Sequence, residues 1–250
     1  MVVDDLAENV PRERWLIRHA PIVPKRLLIE PPDAMPTPTA DPRRPWLAAA
    51  ALALLAVLAW TFAHTHDRLT WALETFPVWV ALPLMAATQR RYPLTSLLYF
   101  FIFWHCVVLM VGGQYSYARV PAGFWVQDAF GLQRNPYDKL GHFMQGFVPA
   151  LLAREILRRG GYVQGRRMLA FLVVCVVLAF SATYEMIEWA AAVMLGQGAD
   201  EFLGTQGDPW DTQSDMAFAL LGAVVALALL SRLHDRQIAR LPAPDRRAGA

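Results

Sequence analysis

Lysine and arginine are missing from every position between Arg167 and Arg232, although that interval holds five acids (Asp200, Glu201, Asp208, Asp211 and Asp215) within sixteen residues. Charge is scarce throughout. Of 250 residues, 18% are Asp, Glu, Lys or Arg and 56% are hydrophobic, where a soluble domain carries about 25% and 45–50%. That balance excludes an ordinary soluble domain. The two cysteines, Cys106 and Cys175, both lie in apolar runs, which argues against a disulfide framework and excludes a Cys-based metal motif. There is no HExxH, no nucleophile signature and no basic cluster suited to holding a lipid phosphate. The first 45 residues hold no compact apolar core followed by a small-residue cleavage site, so no cleaved leader is expected in them. The formal net charge of +2 says little about partners, because the positive charges are unevenly spread, and no nucleic-acid partner is expected.

What the chain does have is apolar length. Residues 1–45 contain nine prolines and seven Lys/Arg. They read as a basic, proline-rich, disordered tail, because proline at that density breaks any long helix. Six apolar runs follow, at about 46–63, 71–88, 93–111, 139–157, 168–195 and 215–233, each near the ~20 residues a helix needs to cross a bilayer. Pro77 and Pro83 predict a kink in the second. The fourth is the least apolar, with His142, Gln145, Arg154 and Glu155, so it is expected inside the bundle. The fold class read from this pattern is all-α: a six-helix membrane domain at 46–233 between the tail 1–45 and a basic C-terminal tail 234–250. The tails and loops on one side carry 18 Lys/Arg and those on the other carry 3. By the positive-inside rule both termini are cytoplasmic and the acidic stretch is extracytoplasmic.

Helical rise then brings polar groups together. At about 1.5 Å per residue, His142 lies roughly 5 Å inside the outer boundary, and Glu185 and Glu188 lie about 25 and 30 Å along the fifth helix. Asp211 and Asp215 open the sixth. Asp138 and His142 are spaced i,i+4, Glu185 and Glu188 i,i+3, and Asp211 and Asp215 i,i+4, so each pair shares a helix face. Carboxylates on one face repel unless something positive lies between them. Lys139, His142 or a bound ion can supply that charge. One imidazole with several carboxylates suits Zn²⁺, Mn²⁺ or Fe²⁺, so His142, Glu185, Glu188, Asp211 and Asp215 form a candidate metal set, supported by Asp138, Lys139 and Asp208. Plainer roles are open for several of them. Asp138, Asp211 and Asp215 suit helix starts, Asp208 in GDPW suits a turn, and a lone histidine is often a hydrogen-bonded core residue. Glu185 and Glu188 are the harder pair to assign so, because ionisable groups within a span are costly. Trp46, Trp71, Tyr92, Trp189 and Trp210 fit an interfacial belt.

The stretches YDKLGHFMQGFVPALLAREIL (137–157), YEMIEW (184–189) and LGQGADEFLGTQGDPWDTQSDM (195–216) resemble the YjdF family of bacterial inner-membrane proteins. The likeness covers the six apolar runs and leaves out the proline-rich tail. It implies a multi-pass protein of the bacterial inner membrane and no particular activity. A more distant similarity joins Asp138, Lys139 and His142, Glu185 or Glu188, and Asp211 and Asp215 to VanZ-like proteins. Ala219 stands where that pattern has Asn, and its Arg before the aspartates is absent. This similarity implies a shared site geometry and not a shared substrate.

Three functions fit these residues. In the first, a metal or a general base drawn from Glu185, Glu188 and His142 acts on an envelope lipid at the outer face. In the second, the polar cluster is a non-catalytic scaffold that docks lipid or a partner. The third, an ion-coupled transporter, lacks an inverted repeat and offers only His105 and Glu74 as a path inward.

Overall fold

The computed structural model describes residues 41–195 and 206–242. Residues 1–40 of the expected tail, Asp200 and Glu201 of the acidic stretch, and residues 243–250 lie outside the described residues. The described residues form eight helices: α1 (Arg44–His64), α2 (Arg68–Glu74), α3 (Phe76–Thr88), α4 (Ser96–Gln114), α5 (Pro121–Phe130), α6 (Tyr137–Arg159), α7 (Arg166–Leu195) and α8 (Asp211–Ile238). No strand occurs among them.

α1, α4, α7 and α8 are long and apolar enough to cross a membrane, and α2 with α3 makes a fifth candidate bent by 46°. The break falls at Thr75, two residues before Pro77. Proline has no N–H to continue the ladder. Thr75 braces the bend: its hydroxyl donates to the Trp71 carbonyl at 2.7 Å and accepts from the Trp79 indole at 3.1 Å. α6 has 23 residues, ample length for a span, but its charged and polar side chains keep it from qualifying by composition. It is also deeply buried: Asp138, Lys139, His142, Arg154 and Glu155 are all at most 8% exposed.

The sequence reading did not anticipate α5. It is a ten-residue helix in the segment between the third and fourth apolar runs, ended by Gly131 in the left-handed conformation (φ +62). Asn135 anchors it, donating from Nδ2 to the Val120 carbonyl at 2.9 Å, and its backbone exchanges two 3.1 Å hydrogen bonds with the Gln206 side chain. α2 begins at an Asp67 cap whose carboxylate accepts from Leu69 N at 2.8 Å and from the Thr70 hydroxyl at 2.6 Å.

α6 and α8 run parallel and touch backbone to backbone. A Cβ added to Gly146 would lie 1.7 Å from the Ala219 carbonyl oxygen, and one added to Gly222 would lie 2.1 Å from the Phe143 carbonyl oxygen. Small residues permit this approach in membrane helices. Around the crossing lies one apolar cluster, with Leu98, Leu151, Val173, Val177, Ala219, Ala223 and Ala226 fully buried. A second cluster joins α1, α2, α3 and α4 through Leu54, Leu58, Trp71, Val78 and Met110. Trp71 thus belongs to the core and not to an interfacial belt: it is 3% exposed and its indole donates to Thr61 at 3.0 Å. Trp46, Trp189 and Trp210 are exposed.

Candidate functional site

The starts of α6 and α8 and the last third of α7 meet at one end of the bundle. Neither Asp138 nor Asp215 caps a helix. The N-cap of α6 is Pro136 and that of α8 is Trp210, so Asp138 sits in the first turn of α6 and Asp215 a full turn inside α8. Asp211 is the first residue of α8. Because α6 and α8 run side by side in register, His142 and Asp215 face each other one turn before the Gly146–Ala219 contact. His142 Nε2 lies 3.4 Å from Asp138 Oδ1 and 3.7 Å from Asp215 Oδ1, and its Nδ1 lies 3.8 Å from Glu185 Oε1. All four residues are at most 8% exposed.

Gln145, one turn along α6, fixes the imidazole. Its Oε1 accepts from His142 Nδ1 at 2.9 Å, which leaves Nε2 to face Asp138 and Asp215. Among the described residues, Asp138, His142 and Asp215 are the one set of three that offers ligand atoms all within 4.8 Å of one another. Two ligands each about 2.1 Å from a tetrahedral metal stand roughly 3.4 Å apart, close to the spacing found here. Gln145 occupies the outer position that a ligating histidine ordinarily uses to orient its ring.

Two bases reach the acids, and one of them had not been assigned to the cluster from the sequence. Arg134 pairs with Asp211 at 2.6 Å and with Asp208 at 3.1 Å. Lys139 pairs with Asp215 at 2.5 Å and Asp211 at 2.8 Å, and lies 3.4 Å from Asp138. Asp211 is therefore held by two cations and is a poorer metal ligand than expected. Asp208 forms the expected turn, accepting from Trp210 N at 2.9 Å. Arg134 could have been suspected, since it and Arg119 are the only bases between the third and fourth apolar runs.

The acids still outnumber the bases. Glu74 on α2 is buried, accepts from the Tyr184 hydroxyl at 3.3 Å and interacts electrostatically with Asp138 and His142. Glu188 is half-buried and within electrostatic reach of Glu74, Glu185 and His142. Oε1 of Glu185 and Oδ2 of Asp138 are buried with no hydrogen-bond partner among the described residues. Each such atom costs about 1–3 kcal/mol or more when charged. His105 lies in α4 with its Nε2 likewise unpartnered among the described residues.

A second polar cluster closes the opposite end, about 20 Å along α6. Glu155 is fully buried and accepts from Thr95 Oγ1 at 2.8 Å, Thr95 N at 3.2 Å, Arg159 at 2.8 Å and His234 Nε2 at 2.9 Å. Arg154 and Arg158 both pair with Asp235. Arg159 also donates to the Pro93 carbonyl at 2.7 Å and stacks over Tyr92 at 3.9 Å. Arg43 joins the start of α1 to that of α4 through the Leu94 carbonyl at 2.9 Å, and its guanidinium holds the neighbouring Asp41 carboxyl below the usual carboxylate range. The sequence marked Arg154 and Glu155 only as groups needing neighbours. Apart from Arg159, one turn on from Glu155, their partners lie 60 to 81 residues away in sequence, which no local pattern reveals.

Apolar helices long enough to span a bilayer, joined by buried ion pairs at each end, define a multi-pass α-helical membrane protein. The family model described as "Predicted membrane protein (DUF2238)" matches residues 46–236, and the chain belongs to that family. It is 63% identical over 190 residues to the inner membrane protein YjdF of Escherichia coli (strain K12), an alignment covering 76% of this chain and 91% of that protein. No solved structure matches the chain.

Proposed function

We propose that this protein crosses the bacterial inner membrane six times with both termini in the cytoplasm, and binds a divalent cation at its acidic, extracytoplasmic end to act on an envelope lipid. The excess of Lys/Arg on one side supports the orientation. So does the gathering of Arg43, Arg154, Arg158 and Arg159 at the end of the bundle opposite Asp138, His142 and Asp215. α6 counts as the sixth span because its polar groups are buried within the bundle and do not face lipid.

The convergence of Asp138, His142 and Asp215 carries the cation assignment. Zn²⁺, Mn²⁺ and Fe²⁺ suit one imidazole with carboxylates. Glu185 and Glu188 stand beside the three, as further ligands or as a general base. Asp211 moves to a supporting role, holding Lys139 and Arg134.

Lys139 favours an alternative. Its ammonium already lies against Asp215 Oδ1, the same oxygen that stands 3.7 Å from His142 Nε2, and so competes with a metal. In that case the cluster is a closed ion-pair network, and the protein is a non-catalytic scaffold or lipid-binding protein.

Metal content decides between the two, measured on protein purified in mild detergent without chelator. Near-stoichiometric metal that is lost in both His142→Ala and Asp215→Asn supports the cation site. No metal in wild type or either variant, all equally folded, refutes it and leaves the ion-pair network.

A further inference from the structure

A cavity of about 560 Å³ opens between α7 and α8, lined by Ala182, Glu185, Met186, Trp189, Thr212 and Met216. Its size falls within the usual ~300–1,000 Å³ range of small-molecule sites. Apart from Glu185 and Thr212 the lining is apolar. Met186 and Trp189 are each 61% exposed, on a span that presents its outer face to hydrocarbon, so an occupant drawn from the bilayer needs an apolar body.

The headgroup it takes is set by charge. Glu185 is 8% exposed, yet its Oε1 has no hydrogen-bond partner among the described residues. The imidazole 3.8 Å away already donates from that nitrogen to Gln145. The two bases that reach the cluster, Arg134 and Lys139, are bound to Asp208, Asp211 and Asp215 on its other side. A second cavity of about 440 Å³ does have Arg134 and Lys139 in its wall, but with those charges neutralised it offers little to an anionic head. The α7–α8 cavity instead combines a buried carboxylate, held by Thr212 but with its Oε1 unpartnered among the described residues, an indole and two thioethers. A carboxylate neutralises an ammonium, and an indole face attracts one by cation–π interaction.

We infer that the α7–α8 cavity binds the primary-ammonium headgroup of an aminophospholipid, the ammonium against Glu185 and Trp189 and the acyl chains along Met186 and Met216. The inference deepens the lipid-directed part of the proposed function and rests on it, but does not require the metal. Glu185 gives the protein a means of selecting one lipid class at the same end that carries Asp138, His142 and Asp215.

The test reconstitutes the full chain in bilayers of equal phosphatidylethanolamine and phosphatidylglycerol, releases it into nonionic detergent, and counts retained lipids by native mass spectrometry. Wild type is expected to retain phosphatidylethanolamine about fivefold over phosphatidylglycerol, and Glu185→Gln is expected to bring the two to parity, a loss of about 1 kcal/mol of discrimination. Ala182→Phe fills the cavity without touching the carboxylate and is expected to remove retained lipid altogether; it decides the matter if the Gln variant does not fold. Equal retention of both lipids by wild type overturns the inference, as does an unchanged preference in Glu185→Gln. A lipid-free dimer overturns it too, because a second copy would then cover this face. Metal content on the same samples separates the two proposals. Lipid preference without metal sinks the cation site alone, and metal without lipid preference sinks this inference alone.

Discussion

Replacing Gly146 by alanine tests the contact that brings the acidic cluster together. The added methyl would lie 1.7 Å from the Ala219 carbonyl oxygen, where ordinary contact begins at 3.4 Å. The obstacle is backbone, so no rotamer change relieves it, and α6 and α8 must separate by roughly 1.5 Å. Overpacking of this kind costs about 1–3 kcal/mol. At about 2–4 °C per kcal/mol for a domain of this size, melting should fall by roughly 2–12 °C. The displacement acts one turn from His142 and Asp215, now 3.7 Å apart, so any bound metal should be lost in step with stability. Thermal unfolding in detergent, followed by tryptophan fluorescence, reads the first effect and metal analysis the second. Ala219→Gly should not rescue the variant, because the clash is with the carbonyl and not the side chain. A Gly146→Ala protein melting within about 1 °C of wild type would refute the close contact and the helix register built on it.

Lys139→Met leaves Asp211 and Asp215 without their shared ammonium and should destabilise by about 3–5 kcal/mol, with partial recovery on adding Asp215→Asn; a single variant as stable as wild type would show that Lys139 does not balance these acids. At the opposite end, Glu155→Ala strands Thr95 N–H, Arg159 and His234 together. A loss of about 3–5 kcal/mol is expected in denaturant or thermal titration, against less than about 1 kcal/mol if the pairing is unimportant. Asp67→Ala removes the cap of α2 and should cost about 0.5–2 kcal/mol. The Thr70 hydroxyl bonded to Asp67 lowers that carboxyl below its ordinary value. Its contribution is therefore complete above about pH 4 and fades only as pH falls through the lower folded value, so the wild-type minus Asp67→Ala difference should stay flat from pH 5 to 8 and shrink in acid. A difference that grows in acid would contradict the assignment.

Hydropathy located the long helices to within a few residues because burial in hydrocarbon depends on local composition. The first apolar run, expected at 46–63, is α1 at Arg44–His64, and the fifth, expected at 168–195, is α7 at Arg166–Leu195. The break before Pro77 was legible for the same reason: a missing N–H is a property of one residue. α5 was not legible, being ten residues long with mixed polarity and held by Asn135 and Gln206 from elsewhere in the chain.

The candidate site divides the same way. Intra-helical spacing alone placed Asp138 with His142, Glu185 with Glu188 and Asp211 with Asp215. Which pair meets which is a matter of helix rotation and register, and only the packing decides it. Backbone contact at Gly146–Ala219 and Gly222–Phe143 sets α8 against α6, turns Asp215 toward His142 and puts Lys139 between Asp211 and Asp215. The same register, read at the far end, buries His234 on Glu155 and brings Asp235 to Arg154 and Arg158. Periodicity along a helix is fixed by its own hydrogen bonds, whereas the partner of a charge is fixed by the close approach of two backbones far apart in sequence.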